Sequence, residues 1–319
     1  MSRLKMKDGT TVIERASSVD ADKIDGITLI IPAYNEAEGI VSTLGDISKI
    51  SDQVRYSVEI IVVDDGSTDT TGKIARELGA RVISHPKNSG YGRALITGIE
   101  NSTYNTVVII DADGTYPVDA IVDIVDVYKK GFDMVVGARR GKHYSRNFRS
   151  LVLRKLFRFL AEFSCGESIP DINSGFRIFD REKALSFRGS LSTGFSFTTT
   201  ITLLFFLNHY FVGYFPIEYK QRIGTSHVHF FRDSLRSLQI IVTVIAQYNP
   251  LKLYLLQIIT LLSGYTVIAL LHAFGPLQQP IYWQLGSIGW SALNLITALA
   301  ITTTAFMGRQ KPKVLRSTL

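Results

Sequence analysis

EIIVVDD, residues 59–65, and NTVVIIDAD, residues 105–113, are short apolar runs that each stop on carboxylates: Asp64 and Asp65 in the first, Asp111 and Asp113 in the second. Consecutive Val and Ile residues bounded by turn residues read as buried parallel strands. In open α/β sheets, ligands bind just beyond the carboxyl ends of such strands. Both acidic pairs are therefore expected to project into one crevice, where they suit a nucleotide diphosphate and its metal ion.

Working outward, the same alternation extends from residue 27 to about residue 137. ITLIIP (27–32) is another strand, and Asn35 and Glu36 open the helix after it. Ser67 to Asp69 cap a helix that stops at Gly79, RVISH (81–85) is a short strand, and a helix runs from Gly90 to about Asn101. A helix over 117–130 has Gly131 at its C-cap position, and DMVVGA (133–138) is the fifth strand. Strand–helix alternation predicts an α/β domain, a mostly parallel sheet with helices on both faces.

The remainder has a different character. Over 148–163, Leu153, Leu156, Phe157, Leu160 and Phe163 recur at helical spacing with basic residues between them. This pattern fits a helix on an anionic membrane surface and equally an amphipathic helix packed on the sheet. A juxtamembrane amphipathic helix is expected over 229–250. Two apolar stretches follow within 251–307, at about 251–274 and 286–307, each long enough for a bilayer core of about 30 Å. The basic tail over 308–319 marks the cytoplasmic side, so the hairpin keeps the 26–228 domain and the tail in the cytosol. Ser291, Asn294 and Thr302–Thr304 of the second span suit contacts with other helices, including those of a homo-oligomer. Residues 1–25 form a polar leader without the apolar core of a signal peptide.

The chain has 319 residues and a net charge of +7, with basic residues concentrated after Arg139. Their interleaving with Leu and Phe, next to membrane spans, argues against nucleic acid as the partner. The lone Cys165 excludes an internal disulfide or a Cys-based zinc site. No Ser-His-Asp or Cys-His constellation is evident. Asp111 and Asp113 are the metal candidates, because Mg²⁺ and Mn²⁺ take oxygen ligands shared between carboxylates and phosphates.

IPAYNE (31–36), VVDDGSTD (62–69), NSGYGRA (88–94), DADGTYP (111–117) and INSGFR (172–177), in that order, resemble glycosyltransferase family two with the GT-A fold. Two C-terminal spans and RIGTSH (222–227) make the chain similar to the polyprenyl-phosphate glycosyltransferases, among them the dolichol-phosphate mannose synthases. The resemblance implies that Pro32, Ala33, Tyr34, Glu36, Asp64 and Asp65 surround the donor nucleotide, with Asp111 and Asp113 holding Mg²⁺ or Mn²⁺ on its diphosphate. It implies that Arg222 clamps the donor phosphates and that Arg139, Arg149 and Ser226 meet the acceptor's phosphate. Asp171 orients the acceptor, takes a proton, or simply caps its loop. Thr115 stands where relatives often carry Gln, and His227 where Lys is common.

The implied activity is inverting, metal-dependent transfer of one hexose from a nucleotide-diphosphate sugar to undecaprenyl or dolichyl phosphate. It would be an integral-membrane reaction on the cytosolic face. A processive polysaccharide synthase would need a Q-x-x-R-W motif and more spans. A catalytically silent membrane scaffold would not need the intact Asp65, Asp111, Asp113 and Arg222.

Overall fold

The computed structural model describes residues 5–7, 10–12, 24–50, 55–141, 148–222, 230–274 and 280–309. Its elements are β1 (Lys5–Lys7), β2 (Thr10–Val12), β3 (Gly26–Ala33), α1 (Ala37–Ile50), β4 (Ser57–Asp64), α2 (Thr71–Glu77), β5 (Arg81–Ser84), α3 (Tyr91–Asn101), β6 (Thr106–Ile109) and α4 (Ala120–Tyr128). These are followed by β7 (Met134–Arg140), α5 (Phe148–Cys165), β8 (Arg177–Asp180), α6 (Arg181–Ser186), α7 (Phe197–Leu207), β9 (Val212–Glu218), α8 (Phe230–Tyr248), α9 (Pro250–Phe274) and α10 (Pro280–Arg309). They fall into two compact units, Met1–Leu238 and Gln239–Leu319.

In the first unit, seven strands form one sheet in the order β5-β4-β3-β6-β8-β7-β9. The β3–β4, β3–β6, β4–β5 and β7–β9 pairs are parallel; β8 runs antiparallel to both β6 and β7. The sheet buries both faces, and β3 shows how: Ile27, Leu29 and Ile31 point into the core shared with α1 and α4, while Ile30 enters the core shared with α3 and α7. This is the two-residue period of a strand between helical layers. α7 is buried along nearly its whole length, so its sequence FTTTITLLFFL lacks an amphipathic stripe. α5 buries Phe157 and Ala161 but leaves Phe159 exposed.

From β3 the chain moves outward to β4 and β5, then returns to the other side of β3 for β6. The strand order reverses there, leaving a crevice at the carboxyl ends of β3 and its two neighbours. Asp65 follows β4 directly, its N–H bonding to the Ala33 carbonyl at 2.8 Å; Asp111 follows the Ile110 N–H bond to the Ile30 carbonyl at 3.1 Å. Both acidic clusters therefore arrive at the crevice from strands that flank β3.

In the second unit, α9 and α10 contain two stretches long and apolar enough to cross a membrane, Pro250–Phe274 and Trp283–Phe306. α10 begins at Pro280, earlier than the expected 286, because proline is well suited to the first turn of a helix. Polar side chains link the two helices. Tyr254 bonds Thr302 at 2.7 Å, Gln257 donates to Thr297 Oγ1 at 2.9 Å, and the Trp290 indole donates to the Leu261 carbonyl at 3.0 Å. Tyr265 also bonds Ser291. Of the residues expected to serve contacts with other helices, Ser291 and Thr302 meet α9 through their side chains.

Candidate active site

The crevice is a cleft of about 590 Å³ lined by Pro32, Ala33, Tyr34, Glu36, Asp65 and, from the far strand, Asp111 and Asp113. Arg222, just beyond β9, reaches into the same cleft. Its guanidinium pairs with Glu36 and stands 3.4 Å from Asp113 Oδ2. Its Nε is buried and has no hydrogen-bond partner among the described residues. Burial holds the Glu36 carboxyl above the usual range, opposed by Arg222 and reinforced by Asp113.

Asp113 lies close enough to Asp111 to raise the cost of ionising it. Burial first, and then the charge of Asp113, push the Asp111 carboxyl up to about 7; the Tyr91 hydroxyl, donating at 2.8 Å, and Arg139 and Arg222 pull it back. Asp113 Oδ1 accepts from the Thr115 amide at 3.1 Å and its hydroxyl at 2.6 Å. Thr115 thus orients Asp113 and is spent in doing so. Among the described residues no third His, Cys, Asp or Glu joins the pair as a metal-ligating cluster.

Gly175 makes room for Asp111: a Cβ there would stand 2.5 Å from Asp111 Oδ2 and 2.8 Å from its Cγ. The carboxylate would have to turn away. Gly175→Ala is expected to fold yet lose about 10²-fold in kcat, the order of loss a 1 Å misplacement brings. Steady-state kinetics with an unchanged melting temperature checks this; wild-type kcat would refute it.

Asp65 is buried and fully engaged. His85 Nδ1 lies 2.6 Å from its Oδ1, the Ser89 amide donates to Oδ1 at 3.0 Å, and the Gly90 amide donates to Oδ2 at 2.8 Å. It therefore shapes the 88–90 turn that walls the cleft. His85, itself held by Thr97 at 3.0 Å, escaped the sequence reading because it looks like the polar end of a short strand. Gly66, at φ +75°, lets that turn approach: a Cβ there would meet the Lys87 carbonyl carbon at 2.5 Å. His85→Ala is expected to weaken nucleotide binding in the cleft several-fold, read by calorimetry with UDP and with GDP; unchanged affinity for both would remove this support role.

Three expected site residues are placed elsewhere. Asp64 does not line the cleft: its Oδ1 accepts from the Ser67 amide at 3.0 Å and its Oδ2 abuts Gly72, which caps its own loop. Arg139 and Asp171 bind each other through Nε–Oδ2 at 2.7 Å and a second bond at 3.0 Å, and the Arg139 amide also donates to Asp171. Both are largely buried, lie outside the cleft lining and pair with each other. Ser226 and His227, with the Arg149 side chain, lie outside the described residues.

The sequence profile described as "Glycosyl transferase family 2" matches residues 28–186. A dolichyl-phosphate hexose transferase of Haloferax volcanii is 32% identical over 201 residues, 63% of this chain and 85% of the relative. A polyprenol monophosphomannose synthase of Mycolicibacterium smegmatis is 30% identical over 213 residues, 62% of this chain and 79% of the relative. Among solved structures, glucosyl-3-phosphoglycerate synthase of Mycobacterium tuberculosis with Mg²⁺ and UDP superimposes with a TM-score of 0.59 at 24% identity, covering 70% of this chain and 81% of that one. The same enzyme with Mn²⁺, UDP and phosphoglyceric acid gives a TM-score of 0.58 at 24% identity, covering 70% of this chain and 80% of that one. These structures share the fold.

Proposed function

Because the chain belongs to glycosyl transferase family 2, we propose that it moves one hexose, with inversion, from a nucleotide-diphosphate sugar to a polyprenyl phosphate at the cytosolic membrane face. The observation that carries this reading is the meeting of Asp111, Asp113, Glu36 and Arg222 in one cleft at the strand-order reversal. The apolar hairpin supports a lipid-borne acceptor, as do the two relatives named for polyprenol and dolichyl phosphates.

Asp111 and Asp113 fit Mg²⁺ or Mn²⁺. They are neighbouring hard oxygen donors, Asp113 buried and Asp111 half-buried, and Asp111 ionises reluctantly there. A divalent cation held by Asp111 and Asp113 would offset that repulsion. Once bound, it supplies charge neutralisation at the departing diphosphate. The chain's own residues do the rest. Arg222, poised between Glu36 and Asp113, carries a guanidinium to the donor's phosphates. Tyr91 and Thr115 fix the two carboxylates. The acceptor needs no strong base, since the second pKa of a phosphate monoester is about 6. One of its oxygens forms the bond to the anomeric carbon as the bond to the nucleotide diphosphate breaks, and a single in-line displacement inverts the centre.

The test is the purified full chain in detergent, offered UDP- and GDP-sugars with undecaprenyl or dolichyl phosphate. Product mass should reveal one hexose on the lipid phosphate. Transfer only to a soluble acceptor, or none to either lipid, would overturn the reading.

Cation binding should follow pH with a definite sign. Asp111 must lose its proton to serve as a ligand, and burial and Asp113 hold that proton up to about 7. Affinity for Mn²⁺ in the presence of UDP is expected to be about tenfold weaker at pH 6 than at pH 8. The stability this group confers on the cation-free protein runs the opposite way: it is complete below the ordinary carboxylate range and lost as pH rises through about 7. Calorimetry at the two pH values checks the affinity; a flat profile would remove Asp111 from the ligand set.

A further inference from the structure

The cleft contains a second arginine that the proposed reaction leaves unused. Arg236 of α8 lines it beside Thr193, Gly194 and Phe195. Its guanidinium carbon lies 3.7 Å from the position a Cβ on Gly194 would occupy. No hydrogen bond or ion pair ties Arg236 to another described residue. Two of the arginines considered for phosphate are occupied, Arg222 by Glu36 and Asp113, and Arg139 by Asp171.

Charge makes this contrast consequential. Glu36, Asp65, Asp111 and Asp113 all line the cleft. A dianionic acceptor head entering beside them, and beside a donor diphosphate, is repelled unless a cation faces it. A guanidinium meets phosphate with a bidentate fork. Phe195 adds the matching apolar element: it is 42% exposed, and its ring stacks on Tyr91 at 5.7 Å. A guanidinium next to an exposed phenyl ring suits an amphiphile with an anionic head. α8 also leads in sequence directly into α9.

We propose that Arg236 receives the phosphate of the polyprenyl-phosphate acceptor and sets its approach to the sugar. This rests on the reading that the acceptor is such a lipid. Arg236 is then a specificity-determining residue for the acceptor, separate from the donor clamp at Arg222.

The experiment uses the full chain in mixed micelles, with undecaprenyl phosphate varied against saturating donor and then the donor varied against saturating lipid. Arg236→Ala should raise the acceptor KM at least about tenfold, the scale of a lost charged hydrogen bond. The donor KM and calorimetric binding of UDP with Mn²⁺ should stay within twofold of wild type. Arg236→Lys should recover part of the loss, as charge without the fork. Should Arg236→Ala fail to bind UDP, Arg236→Gln is read in its place. An acceptor KM within twofold of wild type overturns the proposal, and so does a rise confined to the donor KM, which would assign Arg236 to the donor. A wild-type protein that glycosylates neither undecaprenyl nor dolichyl phosphate defeats the lipid reading and this proposal with it.

Discussion

Asp113→Ala is expected to lose glycosyl transfer by at least about 10²–10³-fold, the loss that follows removal of one preorganised electrostatic group from an active site, with the protein still folded. Asp113 presents one oxygen to the Thr115 amide and hydroxyl and the other to Arg222. The first set fixes its direction. The second shows where positive charge is required. Removing the carboxylate leaves Arg222 paired with Glu36 and relieves Asp111 of a like-charged neighbour, so the fold loses little. The cleft loses one of the two acids that can carry a cation to the donor diphosphate. Asp113→Asn makes the sharper comparison. It keeps the shape and can still accept from Thr115, but it has no charge. It should be about as inactive as Asp113→Ala if charge matters, and near wild type if Asp113 is only a turn residue. Transfer assayed by product mass, with Mn²⁺-dependent binding of UDP and GDP measured alongside, separates these cases. Full activity in both variants, or in wild type under excess chelator, would remove the metal role. A protein retained only as a scaffold would keep its biological role in both variants.

The portion of this site legible in the sequence was the portion written as strand ends. Asp65, Asp111 and Asp113 stand at the ends of apolar runs, and register brings those ends together beside β3. Asp64 looked equivalent to Asp65 because neighbours on a strand end differ only in facing, and facing is settled by the loop: Ser67 and Gly72 claim one carboxylate, Ser89 and Gly90 the other. Arg139 and Asp171 look like separate groups because they stand 32 positions apart, and no local pattern reports an ion pair formed across the fold. Arg236 was hidden for the opposite reason. On an amphipathic helix, a basic residue resembles any other solvated position until the fold places it in a cleft.

The strands beyond β7 were less legible. β8 is only four residues, Arg177–Asp180, and begins with an arginine, which breaks the apolar run expected of a buried strand. It fills the gap between β6 and β7 and runs antiparallel to both, a connection that strand–helix alternation does not foresee. α7 gave no periodic signal because nearly every position is inside. By contrast, over the residues before the two apolar stretches α8 runs from Phe230 to Tyr248, where apolar residues repeat at helical spacing.

Arg177, the residue that obscured β8, should give the largest loss of stability. It is fully buried, and its guanidinium donates to the Thr198 carbonyl at 3.2 Å, to Thr202 Oγ1 at 3.1 Å and, through Nε, to the Ser174 carbonyl at 3.2 Å. A second donor also reaches Ser174. No carboxylate forms an ion pair with it among the described residues; carbonyl and hydroxyl dipoles carry the charge, and burial pulls its pKa down. One side chain thus joins β8 to α7 and pins the turn at Ser174, next to the Gly175 that seats Asp111. Arg177→Ala removes these bonds, leaves the Ser174 carbonyl short of donors and opens a cavity. The expected cost is about 3–5 kcal/mol, a fall in melting temperature of roughly 10 °C for a unit of this size. Arg177→Met should recover much of that, because it fills the space and no longer buries a charge. Thermal melts of the three proteins in the same detergent decide the matter. A shift of about 1 °C or less in Arg177→Ala would mean that α7 and β8 are held by apolar packing alone. If instead Arg177→Met melts near wild type yet transfers sugar slowly, the arginine's larger contribution is to hold the Ser174–Gly175 turn, and through it Asp111, in place.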